Sequence, residues 1–177
     1  MTQIVKGLEL GEIIYLTSVV GKAFDAALTI FGTTIFGTEK DWPPKTGAYF
    51  AYANERGSPR FVTPIREVPE EKAGKYSTLC LKKAIRLGNH PEHKSSWESQ
   101  DPDRDKYPGA IRVEDSIFSM SGLPSLGDEA VMLAAAGIYH RWRPTVMSAL
   151  HEIALRSKNP YWQDFLFHLT NDGAARI

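Results

Sequence analysis

The chain has 177 residues, and its 21 lysines and arginines balance its 21 acidic residues, so the formal net charge is zero. A hydrophobic content of 42% is ordinary for one globular domain. Without excess positive charge, nothing attracts the protein to nucleic acid or to an anionic membrane, and we expect neither as a partner. Near-zero charge also gives little self-repulsion, which permits self-association.

The cysteine content and the N-terminal segment indicate a reducing compartment. Cys80 is the only cysteine, so the chain cannot form an intrachain disulfide. The N-terminus shows no secretion signal, and we therefore expect a cytoplasmic protein. Residues 13–36 are apolar, but Lys22, Asp25 and several glycines interrupt them, so we interpret this stretch as a buried helix rather than a membrane span.

The first half of the chain predicts a helix, a hairpin and a second helix. Apolar residues at three- and four-residue spacing predict a helix over 11–31, with a strand at its start as the alternative. Two strands are predicted over 47–54 and 60–67, where Pro64 indicates an edge strand or a bulge. A Pro-Glu-Glu start then predicts a helix over 69–87.

The second half predicts a long loop, a second hairpin and three helices. Residues 88–108 are polar and lack periodicity, and so long a loop in a compact domain is typically functional or mobile. A hairpin is predicted over 109–121, followed by a Ser-Gly-Leu-Pro turn and a helix to about Arg141. Two further helices are predicted after Pro144 and after Asn159-Pro160.

This element order predicts the α+β class, an antiparallel sheet with flanking helices. We assign residues 1–141 to the α+β domain and residues 142–177 to a helical C-terminal extension. The extension is rich in aromatic residues, which complete a core or build a subunit interface. Both places for the extension, on the domain or at an interface, stay open at this point.

The turn between the second hairpin and the following helix is the first candidate site. Ser119, Ser121 and Gly122 offer hydroxyls and backbone donors beside a helix N-terminus, which suit an anion or the polar edge of a ligand. The competing interpretation is structural, with Asp128 or a serine capping the helix. The two interpretations are compatible, because both use the same free N–H groups.

Three segments resemble the GlcG/HbpS-like family. They are the run SIFSMSGLPSLGDEAVMLAAA at 116–136, the run CLKKA at 80–84 and the glycine entering the second hairpin, Gly109. The resemblance covers about residues 10–141 and implies a sheet with flanking helices related to profilin-like and sensor-type folds. Relatives often have two glycines and then a proline at the hairpin entry, whereas this chain has Tyr107-Pro108-Gly109.

The resemblance implies a self-associating protein that binds a small ligand, with haem or a related tetrapyrrole as the first ligand to test. Its pocket would lie between the middle helix and the second hairpin. Lys83 would contact a carboxylate or phosphate, Ser119, Ser121 and Gly122 would supply hydrogen bonds, and Tyr76 would wall the cavity. The alternative for Lys83 is a surface lysine with a buried aliphatic stem.

Other chemistry is open on the sequence. His90 and His93 flank a carboxylate and are weak candidates for a zinc or haem-iron ligand, against a solvated loop with incidental histidines. An enzyme acting on a small organic acid or a haem-like substrate is the second hypothesis, with Glu129 and His140 as the eligible titratable groups. The third is an oligomeric scaffold that works through its helical tail and has a vestigial pocket.

Overall fold

The computed structural model describes residues 3–4, 8–31 and 46–171, and it has an α+β fold. The helices are α1 (Leu10–Phe31), α2 (Glu70–Gly88), α3 (Ser125–Tyr139), α4 (Pro144–Ser157) and α5 (Trp162–Asn171). The strands are β1 (Gln3–Ile4), β2 (Gly47–Asn54), β3 (Pro59–Arg66), β4 (Ala110–Val113) and β5 (Ser116–Ser121). The predicted fold class is confirmed, and so are the predicted helix at 11–31 and both hairpins.

The strands form one antiparallel sheet in the order β1-β3-β2-β5-β4. Pro64 lies opposite Tyr49 of β2, while β1 pairs only with Phe61 and Val62, so β3 is an edge strand at Pro64 within the described residues. The register shift in this hairpin falls between Tyr52 and Ala53 rather than at the proline. Of the two predicted explanations for Pro64, the edge strand is therefore confirmed and the bulge is not, because proline donates no hydrogen bond to a further strand.

The two faces of the sheet carry cores of different size. Side chains alternate along a strand, so Phe50 and Tyr52 of β2 face α1 and α3, while Ala53 faces α2. The α2 face carries the smaller buried cluster, which consists of Ala53, Ala84, Leu87, Ala110 and Ile117. On this face, the side chains of Cys80 and Lys83 of α2 donate hydrogen bonds to backbone carbonyls of β5.

The C-terminal helices contribute to the larger core. Leu150 of α4, and Trp162 and Phe165 of α5, are buried in the same cluster as α1 and α3. The ring of Phe165 lies 5.6 Å from that of Phe31 at the end of α1. Within residues 142–171, the extension therefore packs on the α+β domain.

Helix α1 is long and apolar enough to cross a membrane by length and composition alone. Core helices and signal sequences satisfy the same criterion, so this evidence is weak. The helix has nine buried residues, and it packs against α3, α5 and β3. At its N-terminal half, however, Leu10, Ile14 and Tyr15 are exposed.

Candidate functional site

A buried ion pair lies where α2 meets the turn between β5 and α3. The Lys83 Nζ atom donates a hydrogen bond to Asp128 Oδ2 at 2.8 Å and another to the Met120 carbonyl, also at 2.8 Å. Lys83 is 2% exposed and Asp128 is 1% exposed. We call these two residues with Tyr76, Gly109 and Gly122 the α2 corner. Its ion pair connects α2, β5 and α3 through side-chain contacts.

Asp128 also fixes the Ser-Gly-Leu-Pro turn. Its Oδ1 atom accepts a hydrogen bond from the Leu123 backbone N–H at 2.8 Å, across the start of α3. Pro124 precedes the helix and provides no side-chain cap. One carboxylate therefore binds both the turn backbone and the lysine. The bonded N–H lies before the helix and no side chain caps α3 itself, so the prediction that Asp128 or a serine caps this helix is wrong.

Gly109 is required by the close approach of the β4 entry to the ion pair. Its φ angle is +123°, a conformation that residues with a side chain rarely adopt. A Cβ atom there would lie 2.7 Å from Asp128 Cβ and 2.8 Å from Lys83 Nζ. The glycine that carries part of the family resemblance is thus explained by packing against the lysine and the aspartate.

The serines of the turn make structural contacts. Ser119 Oγ donates to the Cys80 carbonyl at 2.7 Å, which joins β5 to α2. Burial raises the pKa of the Cys80 thiol, so it is a protonated core group. Ser121 is buried, and a Cβ atom on Gly122 would lie 2.5 Å from Ala48 Cβ. The turn therefore packs directly on β2.

Tyr76 is the member of the α2 corner that solvent reaches. It lies one helical turn before Cys80 and is half-buried. Burial raises the pKa of its phenol, and the negative charge of Asp128 raises it further. Of the five residues predicted as a ligand site, Lys83, Ser119, Ser121 and Gly122 are buried and Tyr76 is half-buried. Their role in ligand binding stays a prediction.

The long segment 88–108 is held in place by two arginines. Arg86 donates to the Tyr107 carbonyl at 2.6 Å and to the Ser96 carbonyl at 3.2 Å. Arg112 donates to the carbonyls of Leu87 at 2.6 Å and His93 at 3.1 Å. The segment also contains two short 3-10 helices, Ser96–Ser99 and Pro102–Arg104. Although it looked like an irregular loop in the sequence, it is fixed by hydrogen bonds from the half-buried Arg86 and the buried Arg112.

Glu129, which the sequence marked as a titratable candidate, forms a second buried polar cluster whose other members were not predicted. Its carboxylate is fully buried and accepts hydrogen bonds from Ser95 Oγ, from Ser157 Oγ at 2.5 Å and from Asn159 Nδ2 at 3.1 Å. Burial raises the pKa of Glu129, although the three donors oppose this effect. The cluster connects the 88–108 segment to α3 and α4. The sequence signal for this cluster was an acidic residue among the apolar residues of α3. Its hydrogen-bond partners could not be predicted, because they are distant in sequence.

Glu129 and His140 do not form an acid–base pair. His140 follows Glu129 by three helical turns, which separates them by about 16 Å along the axis. His140 instead lies beside Arg143, at 2.9 Å, and Glu114, at 3.6 Å. Burial lowers the pKa of its imidazole. The geometry therefore gives no support to catalysis by these two residues together.

Two further features lie away from the α2 corner. His90, Glu92 and His93 follow the C-terminal end of α2 and bring their ligand atoms within 4.8 Å of one another. An open depression of about 570 Å³ lies on α4, and its lining residues are Met147, Ser148, His151, Glu152, Leu155 and Arg156. This depression is not the pocket expected between α2 and the second hairpin.

The first prediction tests the close packing at Gly109. Gly109→Ala should lower the free energy of unfolding by about 2–4 kcal/mol, because it combines an unfavourable φ angle with overlap at the ion pair. Chemical denaturation measures the change. Gly74→Ala is the matched control, since Gly74 is exposed on α2 and has nothing near an added Cβ. That substitution should stabilise by about 0.5–1 kcal/mol. A Gly109→Ala protein as stable as the parent contradicts the packing.

The second prediction concerns the protonation of Glu129. Its folded-state pKa is raised above the ordinary value of 4.5, so its contribution to stability is fully present below pH 4.5 and is lost as the pH rises toward the folded-state pKa. Glu129→Gln keeps hydrogen-bonding capacity without ionising. Relative to the parent, it should therefore gain stability between pH 5 and pH 8 in denaturation experiments. Glu152→Gln, at an exposed site, should show no such gain. If the stability difference between Glu129→Gln and the parent is the same at pH 5 and at pH 8, the pKa of Glu129 is not raised by folding.

Comparisons with known proteins add no relative. No family model, no curated protein and no solved structure matches the chain. The GlcG/HbpS-like resemblance therefore depends on the three sequence segments that carry it, and the function it implies is a proposal.

Proposed function

We propose that this chain is a small-ligand-binding protein of the GlcG/HbpS-like type, with its ligand at the α2 corner. The observation that carries the proposal is the buried Lys83–Asp128 pair beside the half-exposed Tyr76. Burying two charges is costly, and hydrophobic replacements of such pairs are often no less stable. Burial and the charge of Asp128 raise the pKa of the Tyr76 phenol, and titratable groups with shifted pKa values are typical of functional sites.

The corner offers distinct groups to a ligand. The Lys83 ammonium has three N–H donors, and two of them bind Met120 and Asp128. In this proposal the third donor binds a ligand carboxylate or phosphate oxygen, while the Tyr76 ring packs against the ligand. The phenol of Tyr76 stays protonated, because burial and Asp128 raise its pKa, and it acts as a hydrogen-bond donor. Ser121 and Gly122 would line the inner wall.

Haem or a related tetrapyrrole is the first ligand in this proposal, on the strength of the family resemblance. Its propionates would supply the carboxylates for Lys83. The protein would act in the cytoplasm as a homo-oligomer. The exposed apolar residues at the start of α1, Leu10, Ile14 and Tyr15, support self-association, because exposed apolar clusters favour contacts between proteins.

The third prediction is a hemin titration followed by visible absorption. The parent protein should give a saturable Soret shift at one equivalent, and Tyr76→Ala should weaken hemin binding at least about tenfold, because it removes the accessible wall of the corner. Tyr107→Phe is the control, since Tyr107 bonds the exposed Asp105 outside the corner, and it should bind hemin like the parent.

Two results separate the parts of this proposal. If the parent and Tyr76→Ala give the same saturable shift, the protein binds a tetrapyrrole, but not at the α2 corner. If hemin gives no saturable shift, small carboxylates are tested by thermal shift. If a carboxylate stabilises the parent but not Tyr76→Ala, the α2 corner is a binding site for a ligand other than haem. No stabilisation of either protein would overturn the proposal.

A further inference from the structure

We propose that His90, Glu92 and His93 bind a divalent transition-metal ion of the zinc class. The three residues lie just after the C-terminal end of α2, and their ligand atoms are within 4.8 Å of one another. Imidazole nitrogen and carboxylate oxygen are the donors that zinc and its neighbours in the first transition row accept. Because none of these side chains belongs to the α2 corner, the inference does not depend on the proposed function.

Two of the three distances among the ligand atoms fit one tetrahedral ion. Glu92 Oε1 lies 3.4 Å from His90 Nδ1 and 3.5 Å from His93 Nε2. Metal–ligand bonds of about 2.0–2.1 Å at tetrahedral angles place neighbouring ligand atoms about 3.3–3.4 Å apart. The two imidazole nitrogens lie within 4.8 Å of each other, and closing this gap brings all three donors onto one ion. The carboxylate oxygen already lies between the two imidazoles.

The backbone that carries the histidines is held before any ion binds. A tight turn joins the His93 N–H to the His90 carbonyl at 3.0 Å, and Pro91 lies inside this turn. Arg112 donates to the carbonyls of His93 at 3.1 Å and His90 at 3.3 Å. The two imidazole rings are stacked, with centroids 4.7 Å apart. Such preorganisation reduces the entropy that a ligand must overcome.

Charge favours a cation at this cluster. Glu92 contributes a carboxylate to the cluster, and one of its oxygens lies within 3.5 Å of both imidazoles. Arg112 is the nearby positive group, and its guanidinium is occupied by backbone carbonyls. Glu92 is largely exposed, which leaves the fourth coordination position to water. The result is a surface site with three protein ligands and one open position.

One feature of His93 limits the affinity. Its Nδ1 atom is buried and has no hydrogen-bond partner among the described residues. When Nε2 binds the ion, the ring proton lies on Nδ1, where a ligating histidine ordinarily donates to a carboxylate or carbonyl. Loss of such a partner costs about 10–100-fold in affinity. We therefore expect exchangeable binding in the micromolar range rather than a structural zinc.

The fourth prediction is tested with Zn²⁺ alone on the full, tag-free chain, in competition with a chromogenic chelator. The parent should bind one equivalent. Each of His90→Ala, Glu92→Gln and His93→Ala should bind at least about tenfold more weakly. His151→Ala, on α4, is the matched control and should bind like the parent. Co²⁺ should give the intense visible bands of a tetrahedral ion, and Mg²⁺ should not compete, because it prefers oxygen ligands.

The experiment overturns the proposal in either of two ways. In the first, the parent binds no Zn²⁺ even when the ion is present at about a hundred times a micromolar concentration. In the second, the parent and all three variants bind Zn²⁺ equally tightly. Folding does not confuse the result, because Glu92 is exposed and Glu92→Gln keeps the size of the side chain. Denaturation midpoints of the variants check this directly. Failure of hemin binding leaves the inference intact, and failure of Zn²⁺ binding leaves the α2 corner intact.

Discussion

The fold depends on one buried charge pair at the place where its two layers meet. Lys83 comes from the helix on one face of the sheet, and Asp128 comes from a helix on the other. Together they bind the backbone of β5 and of the following turn. Removing one partner of such a pair leaves a buried charge uncompensated, at a cost of about 3–5 kcal/mol. Gly109 is constrained by the same contact, because any side chain there would overlap the pair.

Two adjacent carboxylates on α3 have different surroundings and different consequences. Asp128 faces an ammonium group and a backbone N–H, so its charge is compensated within the fold. Glu129 faces only neutral donors from the 88–108 segment and α4, and burial raises its pKa. The first acid joins the helices on the two faces of the sheet, and the second connects the 88–108 segment to α3 and α4.

The sequence predicted the fold class, both hairpins and the helix α1, because periodicity and turn residues are local signals. It also singled out Lys83 and the Ser-Gly-Leu-Pro turn, through the family resemblance. Neither alternative for Lys83, a pocket lysine or a surface lysine, described the buried ion pair with Asp128, because a pairing across 45 positions leaves no local pattern. The ordering of 88–108 was missed for the same reason, since Arg86 and Arg112 act on carbonyls that no sequence pattern reveals.

The most direct test of this account is a double-mutant cycle on the free energy of unfolding, with Lys83→Met, Asp128→Asn and the double variant. The account predicts that Lys83→Met alone costs about 3–5 kcal/mol and that the double variant costs less than the sum of the single variants. Lys82→Met, at the exposed neighbouring position, should change stability by less than about 0.5 kcal/mol. The account is contradicted if the two single substitutions have additive effects and the double variant loses less than about 1 kcal/mol in the free energy of unfolding.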